Sequence, residues 1–146
     1  MDTKYFFNTS VTISVPPSHV WIIMSDIEHW HLWTPSVRKI RRLDKGPITV
    51  GSKALIFQPK LPPAFWRVTA IEHERGFTWV TSGPGMSITG RHYIEPTLGG
   101  SKVTLSIQYN GILAPILSRL TAKLTDRYLG FEAAGLKKQS ESTYAQ

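Results

Sequence analysis

Residues 112–138, ILAPILSRLTAKLTDRYLGFEAAGLKK, form the longest amphipathic segment of the chain, and this segment decides the fold. Leucine and aromatic side chains recur every three or four residues, which is the spacing of one face of an α-helix. The predicted helix is about 40 Å long, at about 1.5 Å per residue. Pro115 falls in its first turn, where proline costs least, whereas Gly130 and Gly135 are mild defects that can bend it. An apolar face of this length must pack against another layer of structure.

The chain ahead of this helix contains the pattern of a sheet. Val11, Ile13 and Val15 alternate with polar residues, as in a strand with one buried face. Two short helices are predicted within residues 16–34, which open with a proline pair. Six further strands, separated by glycine and proline turns, are predicted near residues 37–43, 50–58, 64–74, 77–83, 86–95 and 102–110. Because short turns favour antiparallel neighbours, we predict an α+β fold. In it, a curved seven-stranded antiparallel sheet wraps around the C-terminal helix, in one domain spanning residues 1–146.

The composition excludes several classes of protein and site. The chain has no cysteine, so it has no disulfide, thiolate zinc site or cysteine nucleophile. The N-terminus lacks the pattern of a signal peptide, and no stretch approaches the about 18 apolar residues of a spanning helix, so we expect a cytoplasmic protein. His29 and His31, and the triplet Glu72-His73-Glu74, look like fragments of metal sites. The two histidines would lie on different faces of a helix, and the triplet alternates across a strand and precedes the turn at Arg75-Gly76, which indicates a solvated strand end. We therefore predict no metal site, and no cofactor is expected.

The net charge of +7 favours anionic partners. Its densest run is Arg38, Lys39, Arg41, Arg42 and Lys45. No nucleic-acid motif accompanies this run, so nucleic acid is not an expected partner. Two alternatives stay open: a solvated strand surface, or weak contact with an anionic membrane through the first four of these residues. Nothing in the sequence indicates the oligomeric state.

Several local motifs occur in a characteristic order along nearly the whole chain. They are PPSHVWIIMSDIEHWHLWTPSV at 16–37, VGS at 50–52, WRV at 66–68, GRHYIEPTLGGSKVTLSI at 90–107 and GLKKQSES at 135–142. These motifs and the order of elements resemble the START-like superfamily, also called Bet v 1-like, and within it the bacterial SRPBCC, or polyketide cyclase/dehydrase-like, proteins. This resemblance implies a helix-grip fold with a hydrophobic cavity between the sheet and the C-terminal helix. Relatives bind lipids, sterols, quinones or polyketides, and some act as cyclases or aromatases.

Strand alternation and the resemblance together predict which residues face a ligand. Alternate residues of each central strand share one face, and leucines of the helix would oppose them. The same pattern would also suit a filled core. Two tryptophans of the second short helix are placed near the expected cavity mouth by the resemblance, where they could stack on a ligand or form a stabilising lid. The predicted ligand-binding residues are Trp30, Trp33, Trp66, Val68, Met86, Ile88, His92, Ile107, Tyr109, Leu113, Leu117 and Leu120.

His92 and Tyr109 are the candidate catalytic residues. An inward imidazole could bond to a ligand or move a proton near neutral pH, or it could be a core residue satisfied by a backbone group. No inward carboxyl group is expected, because Glu72, Glu74 and Glu95 lie near strand ends. There is also no nucleophile-elbow, phosphate-loop or dinucleotide motif.

Two functions follow from these expectations. The first is binding or transport of a small hydrophobic ligand, such as a lipid, quinone or polyketide-like molecule, in an internal cavity between sheet and helix. The alternative is an enzyme of polyketide cyclase, aromatase or dehydratase type that uses His92 as acid and base. The sequence leaves open whether any reaction is catalysed.

Overall fold

A computed structural model describes residues 5–144, which fold into seven strands, two α-helices and a short 3₁₀ helix. All seven strands form one antiparallel sheet in the order β1-β7-β6-β5-β4-β3-β2. The predicted α+β fold, with a seven-stranded sheet and a long C-terminal helix, is therefore confirmed. In chain order the elements are β1 Phe6–Ile13, α1 Pro17–Ser25, the 3₁₀ helix Ile27–Leu32, β2 Lys39–Arg42, β3 Lys53–Phe57, β4 Ala64–Glu72, β5 Gly76–Gly83, β6 Met86–Thr97, β7 Gly100–Asn110 and α2 Ala114–Tyr144.

The central strands follow the alternation expected of a sheet with one buried face. On β7, Val103 and Leu105 are buried, whereas Lys102 of the same strand, which pairs with Glu95 of β6 and Thr12 of β1, is exposed. Strands β6 and β7 pair along their whole length, and β1 continues the sheet beyond β7. Helices α1 and α2 pack against β1, β6 and β7 on the buried face. The core therefore lies between the sheet and the helices, which is where a cavity can form.

Helix α2 is longer than the predicted segment 112–138, because the polar residues after that segment are helical to Tyr144. Its last turns are tied to the N-terminal part of the chain. Glu141 Oε2 accepts hydrogen bonds from the Ser14 backbone N–H at 2.8 Å and from Lys137 Nζ at 2.7 Å. His19 Nε2 bonds to the Thr143 hydroxyl at 2.8 Å. These long-range bonds supply the ordering that local propensity does not.

Gly135 allows α2 to pack closely against the loop after the 3₁₀ helix. A Cβ atom on Gly135 would lie 1.9 Å from the backbone oxygen of Trp33, which no side chain could tolerate. Gly135 is thus a contact residue and not a defect of the helix. Because the helix comes this close, Glu132 on its preceding turn lies against Ser36 of the same loop.

Candidate functional site

A cavity of about 110 Å³ lies between α2 and the concave face of the sheet. Strands β3 to β7, the 3₁₀ helix, the segment before β4 and the middle of α2 all contribute to its wall. The surface is mainly apolar, with a few polar groups. Its lining residues are Trp30, Val37, Ile56, Gln58, Leu61, Trp66, Trp79, Ile88, His92, Ile107, Tyr109, Thr125, Tyr128, Leu129 and Glu132.

One wall of the cavity is a run of three tryptophans. The ring centroids of Trp30 and Trp79 are 5.3 Å apart, and those of Trp66 and Trp79 are 5.5 Å apart, in tilted contacts. Trp79 pairs across the sheet with Gly90, whose missing side chain makes room for the indole. A Cβ on Gly90 would lie 2.9 Å from Trp79 Nε1. Such a wall offers a large apolar surface of low conformational freedom to a ligand.

His92 lies buried beside this wall as a neutral imidazole. Its ring stacks on Phe77 with centroids 4.2 Å apart and an interplanar angle of 12°. Its Nδ1 lies 3.2 Å from the Phe77 backbone oxygen, which can only accept, so Nδ1 carries the proton. Burial lowers the pKa of His92 from 6.5 to about 4, although the bond to Phe77 opposes the shift. At neutral pH, Nε2 therefore bears a lone pair, and no partner for it occurs among residues 5–144.

Glu132 of α2 is the residue that the sequence analysis missed. Its carboxyl group lines the cavity, and Oε1 accepts a hydrogen bond from the Ser36 hydroxyl at 3.3 Å. The Ser36 hydroxyl is itself 2.7 Å from that of Thr34. Burial raises the pKa of Glu132 from 4.5 to about 7, and the bond from Ser36 only partly opposes this. The expectation that no carboxyl group points inward is therefore wrong.

A signal for Glu132 was present in the helical spacing. It lies four residues after Tyr128 and four before Leu136, and both of these residues are buried on the inward face of α2. We instead predicted the inward face of the helix from its leucines, and Glu132 does not lie on the face that they define. An acidic residue at helical spacing from two buried residues would have indicated an inward carboxyl group at this position.

Tyr109 and Tyr128 bring hydroxyl groups to the cavity that already have partners. The Tyr109 hydroxyl is 2.6 Å from the Thr121 hydroxyl and 3.1 Å from that of Thr125, both on α2. The Tyr128 hydroxyl donates to the Pro59 backbone oxygen and so connects α2 to the segment before β4. These bonds join the helix to the sheet side of the cavity.

Half of the predicted ligand-binding residues line the cavity: Trp30, Trp66, Ile88, His92, Ile107 and Tyr109. The other half lie elsewhere. Val68 is packed in the core, Trp33 lies in an open cleft beside Gly135, and Met86 is half-buried at the β5–β6 turn.

The predicted inward face of the helix is corrected by the structure. Leu113 and Leu120 are exposed and Leu117 is half-buried, so none of the three lines the cavity. The inward face in this part of α2 instead consists of small and polar residues. They include Ala114, Ser118, Thr121 and Thr125. The helix is rotated in this way because Tyr109 bonds to two threonine hydroxyls, which leucines in those places could not supply.

The basic run on β2 is only partly available to a partner. Arg38, Lys39 and Arg41 are exposed. The Arg42 side chain is only 10% exposed, since its guanidinium bonds to Asp44 Oδ2 at 3.2 Å and to the Gly46 backbone oxygen. Arg42 therefore stabilises the turn after β2. Weak membrane contact through Arg38, Lys39, Arg41 and Arg42 stays a prediction, in which Arg42 is the least accessible of the four side chains.

Within residues 5–144, no group of three or more histidine and acidic side chains is placed to hold a metal ion. No helix in the same part of the chain is long and apolar enough to cross a membrane.

A curved antiparallel sheet that grips a C-terminal helix, with a mainly apolar cavity between them, defines the class of helix-grip proteins of the START-like and Bet v 1-like type. The sequence matches the family described as "Polyketide cyclase / dehydrase and lipid transport" over residues 7–141, and the chain belongs to that family. No curated protein sequence is significantly similar to it.

Solved structures share this fold at low sequence identity. The aromatase/cyclase Zhui from Streptomyces sp. R1128 superimposes with a TM-score of 0.77 at 13% identity, covering 93% of both chains. Ara h 8.0201 gives a TM-score of 0.72 at 16% identity, covering 94% of this chain and 97% of its own. The hypothetical protein jhp0584 from Helicobacter pylori gives 0.79 at 12% identity, covering 92% and 87%. These similarities establish the fold and do not transfer an activity.

Proposed function

We propose that the protein binds a small, planar hydrophobic molecule that carries a hydroxyl group. The observation that carries this proposal is a tryptophan wall beside the unpaired Nε2 of His92, in a cavity that the Glu132 carboxyl group also lines. An aromatic ligand would lie against Trp30, Trp66 and Trp79. Its hydroxyl group would donate to His92 Nε2 or to the Glu132 carboxyl group.

The size and charge of the cavity narrow the ligand class. Its volume of about 110 Å³ is close to the about 150 Å³ of an engineered cavity that holds one benzene ring. A lipid or polyketide chain would need outward movement of α2 or of the segment around Leu61. The Tyr128 hydrogen bond to Pro59 closes that side. A carboxylate ligand is disfavoured, because Glu132 would repel it once ionised.

Titration with phenol, toluene and benzoate, which share one benzene ring and differ in its substituent, tests the proposal when it is followed by NMR of the indole N–H groups. Phenol should bind more tightly than toluene, and toluene more tightly than benzoate. The signals of the cavity tryptophans Trp66 and Trp79 should shift, whereas Trp21, which lies outside the cavity lining, serves as the internal control. Unmoved cavity signals with all three compounds would exclude binding of this ligand class.

Two variants separate the polar contact from the apolar one. His92→Phe should weaken phenol binding about fivefold to tenfold and leave toluene binding nearly unchanged, because only phenol uses the imidazole. Glu132→Gln should reduce the discrimination against benzoate, since the repelling charge is lost. Equal loss of phenol and toluene binding in His92→Phe would contradict a hydrogen bond to the ligand.

A second function, ring closure of a polyketone chain, is supported by the inward position of Glu132. Its pKa of about 7 suits proton transfer at neutral pH, whereas a pKa of about 4 makes His92 a weak base. The carboxylate would take a proton from a carbon between two carbonyl groups. The resulting enolate would attack a further carbonyl, and the protonated Glu132 would return the proton to the new alkoxide.

Turnover of a poly-β-keto thioester tests this second function. Glu132→Gln should abolish ring closure, and His92→Phe should retain it. Equal turnover by Glu132→Gln and the unmodified protein would rule out this mechanism while leaving the binding function intact.

A further inference from the structure

The first turns of α2 and the residue pair before them carry an apolar ridge that faces outward. The ridge consists of Ile112, Leu113, Ile116 and Leu120, whose exposed fractions are 85%, 38%, 60% and 77%. The last three share one face of the helix, because they are separated by three and four residues. Single exposed leucines are ordinary on a protein surface, but a contiguous set of this size marks an interaction site.

The ridge is held in a fixed position by the β5–β6 turn. The Leu113 backbone N–H donates to the Gly85 backbone oxygen at 2.9 Å. A Cβ atom on Gly85 would lie 3.2 Å from side-chain atoms of both Ile112 and Leu113, so the turn packs directly beneath them. The outward exposure of the ridge is therefore a property of the folded structure and not of a loose segment.

Basic side chains flank the ridge on the same helix. Arg119, Lys123 and Arg127 are all exposed, and none has an ion-pair partner among residues 5–144. Lys123 follows Leu120 by three residues and Arg127 follows it by seven, so both lie beside the ridge. The only acidic residue from position 112 to position 131 is Asp126. Long basic side chains next to exposed leucines suit the boundary between acyl chains and anionic headgroups.

We propose that the apolar ridge of α2 docks the protein on the surface of an anionic lipid bilayer. Bilayer headgroups supply the negative charge that complements the three cations, and the acyl boundary accepts the four apolar side chains. A second copy of this chain fits less well, because a two-fold interface would bring like charges together. This surface is distinct from the basic run on β2 and does not depend on what the cavity holds.

Co-sedimentation with vesicles tests the docking surface. We expect binding to vesicles of phosphatidylcholine with phosphatidylserine, little binding to phosphatidylcholine alone, and weaker binding as salt increases. The double variant Ile116→Ser/Leu120→Ser should lower the partition coefficient about tenfold or more. Neutralising Arg119 and Lys123 to Gln should lower it about fivefold per residue.

A matched control distinguishes this surface from the other basic region. Lys39→Gln/Arg41→Gln removes the same charge from β2 and should leave vesicle binding nearly unchanged. Binding that is lost in this control and retained in Ile116→Ser/Leu120→Ser would overturn the proposal. No binding to anionic vesicles, or a dimer in solution that dissociates in Ile116→Ser/Leu120→Ser, would also overturn it. The substituted side chains are exposed, so unchanged thermal unfolding verifies that each variant is folded.

Discussion

Replacing Glu132 by Gln should make the protein more stable, and the gain should increase as the pH rises. In the folded protein, burial raises the pKa of this carboxyl group from 4.5 to about 7. Below the lower value, both the folded and the unfolded chain hold the proton, so the carboxyl group contributes no pH dependence. Between the two values only the unfolded chain releases the proton, and the folded state loses stability as the pH rises. Above the higher value, the full cost of a buried charge is present.

The size of this effect follows from the two pKa values. One pKa unit corresponds to about 1.4 kcal/mol, so the wild type should lose about 2 to 3 kcal/mol relative to Glu132→Gln between about pH 5 and about pH 8. The glutamine amide keeps the shape of the side chain, and its oxygen can still accept the hydrogen bond from Ser36. The change therefore removes the charge and little else.

Urea unfolding followed by tryptophan fluorescence at several pH values measures the difference. Glu141→Gln on the same helix is a control of opposite sign. Hydrogen bonds from Lys137 and from the Ser14 backbone hold the pKa of Glu141 below its ordinary value. That variant should lose stability relative to the wild type as the pH rises through the acid range. A stability gain for Glu132→Gln that stays constant between about pH 5 and about pH 8 would refute a raised pKa at Glu132.

Two further changes test the packing of α2 and the state of the imidazole. Gly135→Ala should destabilise the protein by about 1 to 3 kcal/mol, because the new Cβ meets the Trp33 backbone oxygen at 1.9 Å. Gly130→Ala, which adds its methyl group in open space, should instead stabilise the protein by about 0.5 to 1 kcal/mol through helix propensity. Thermal unfolding of the two variants measures both effects. His92→Phe should be less sensitive to acid than the wild type, since a folded-state pKa of about 4 lets only the unfolded chain take a proton between pH 6.5 and 4. Between neutral pH and about pH 5, the wild type should lose about 2 kcal/mol of unfolding free energy relative to His92→Phe, and a parallel pH dependence of the two proteins would contradict the neutral imidazole.

The positions of the strands along the chain could be predicted because they depend on local signals. Alternation of Val11, Ile13 and Val15, and turns rich in glycine and proline, mark each strand without reference to its neighbours. Antiparallel pairing then follows from the short connections. The length of α2 was underestimated, because its last turns are held by bonds from Ser14 and His19, which lie far away in the sequence.

The candidate site could be predicted only in part, because the rotation of α2 also depends on contacts between residues far apart in the sequence. Inward residues of the strands were found by alternation, which places His92 and Ile107 on the cavity wall. The helix has leucines on more than one face, so hydrophobicity did not show which face points inward. Hydrogen bonds from Tyr109 to two threonines accompany the actual rotation of α2.

The sequence by itself determined the elements, the antiparallel sheet and the long amphipathic helix, since these follow from periodicities of two and of three to four residues. Only the tertiary structure decided which helix face covers the sheet, because close approach at Gly135 and hydrogen bonds from Tyr109 set that rotation. The same rotation brings the Glu132 carboxyl group into the cavity and leaves Leu120 in solvent. The chemistry of both the cavity and the outer ridge thus depends on long-range contacts, which are not encoded in any local pattern.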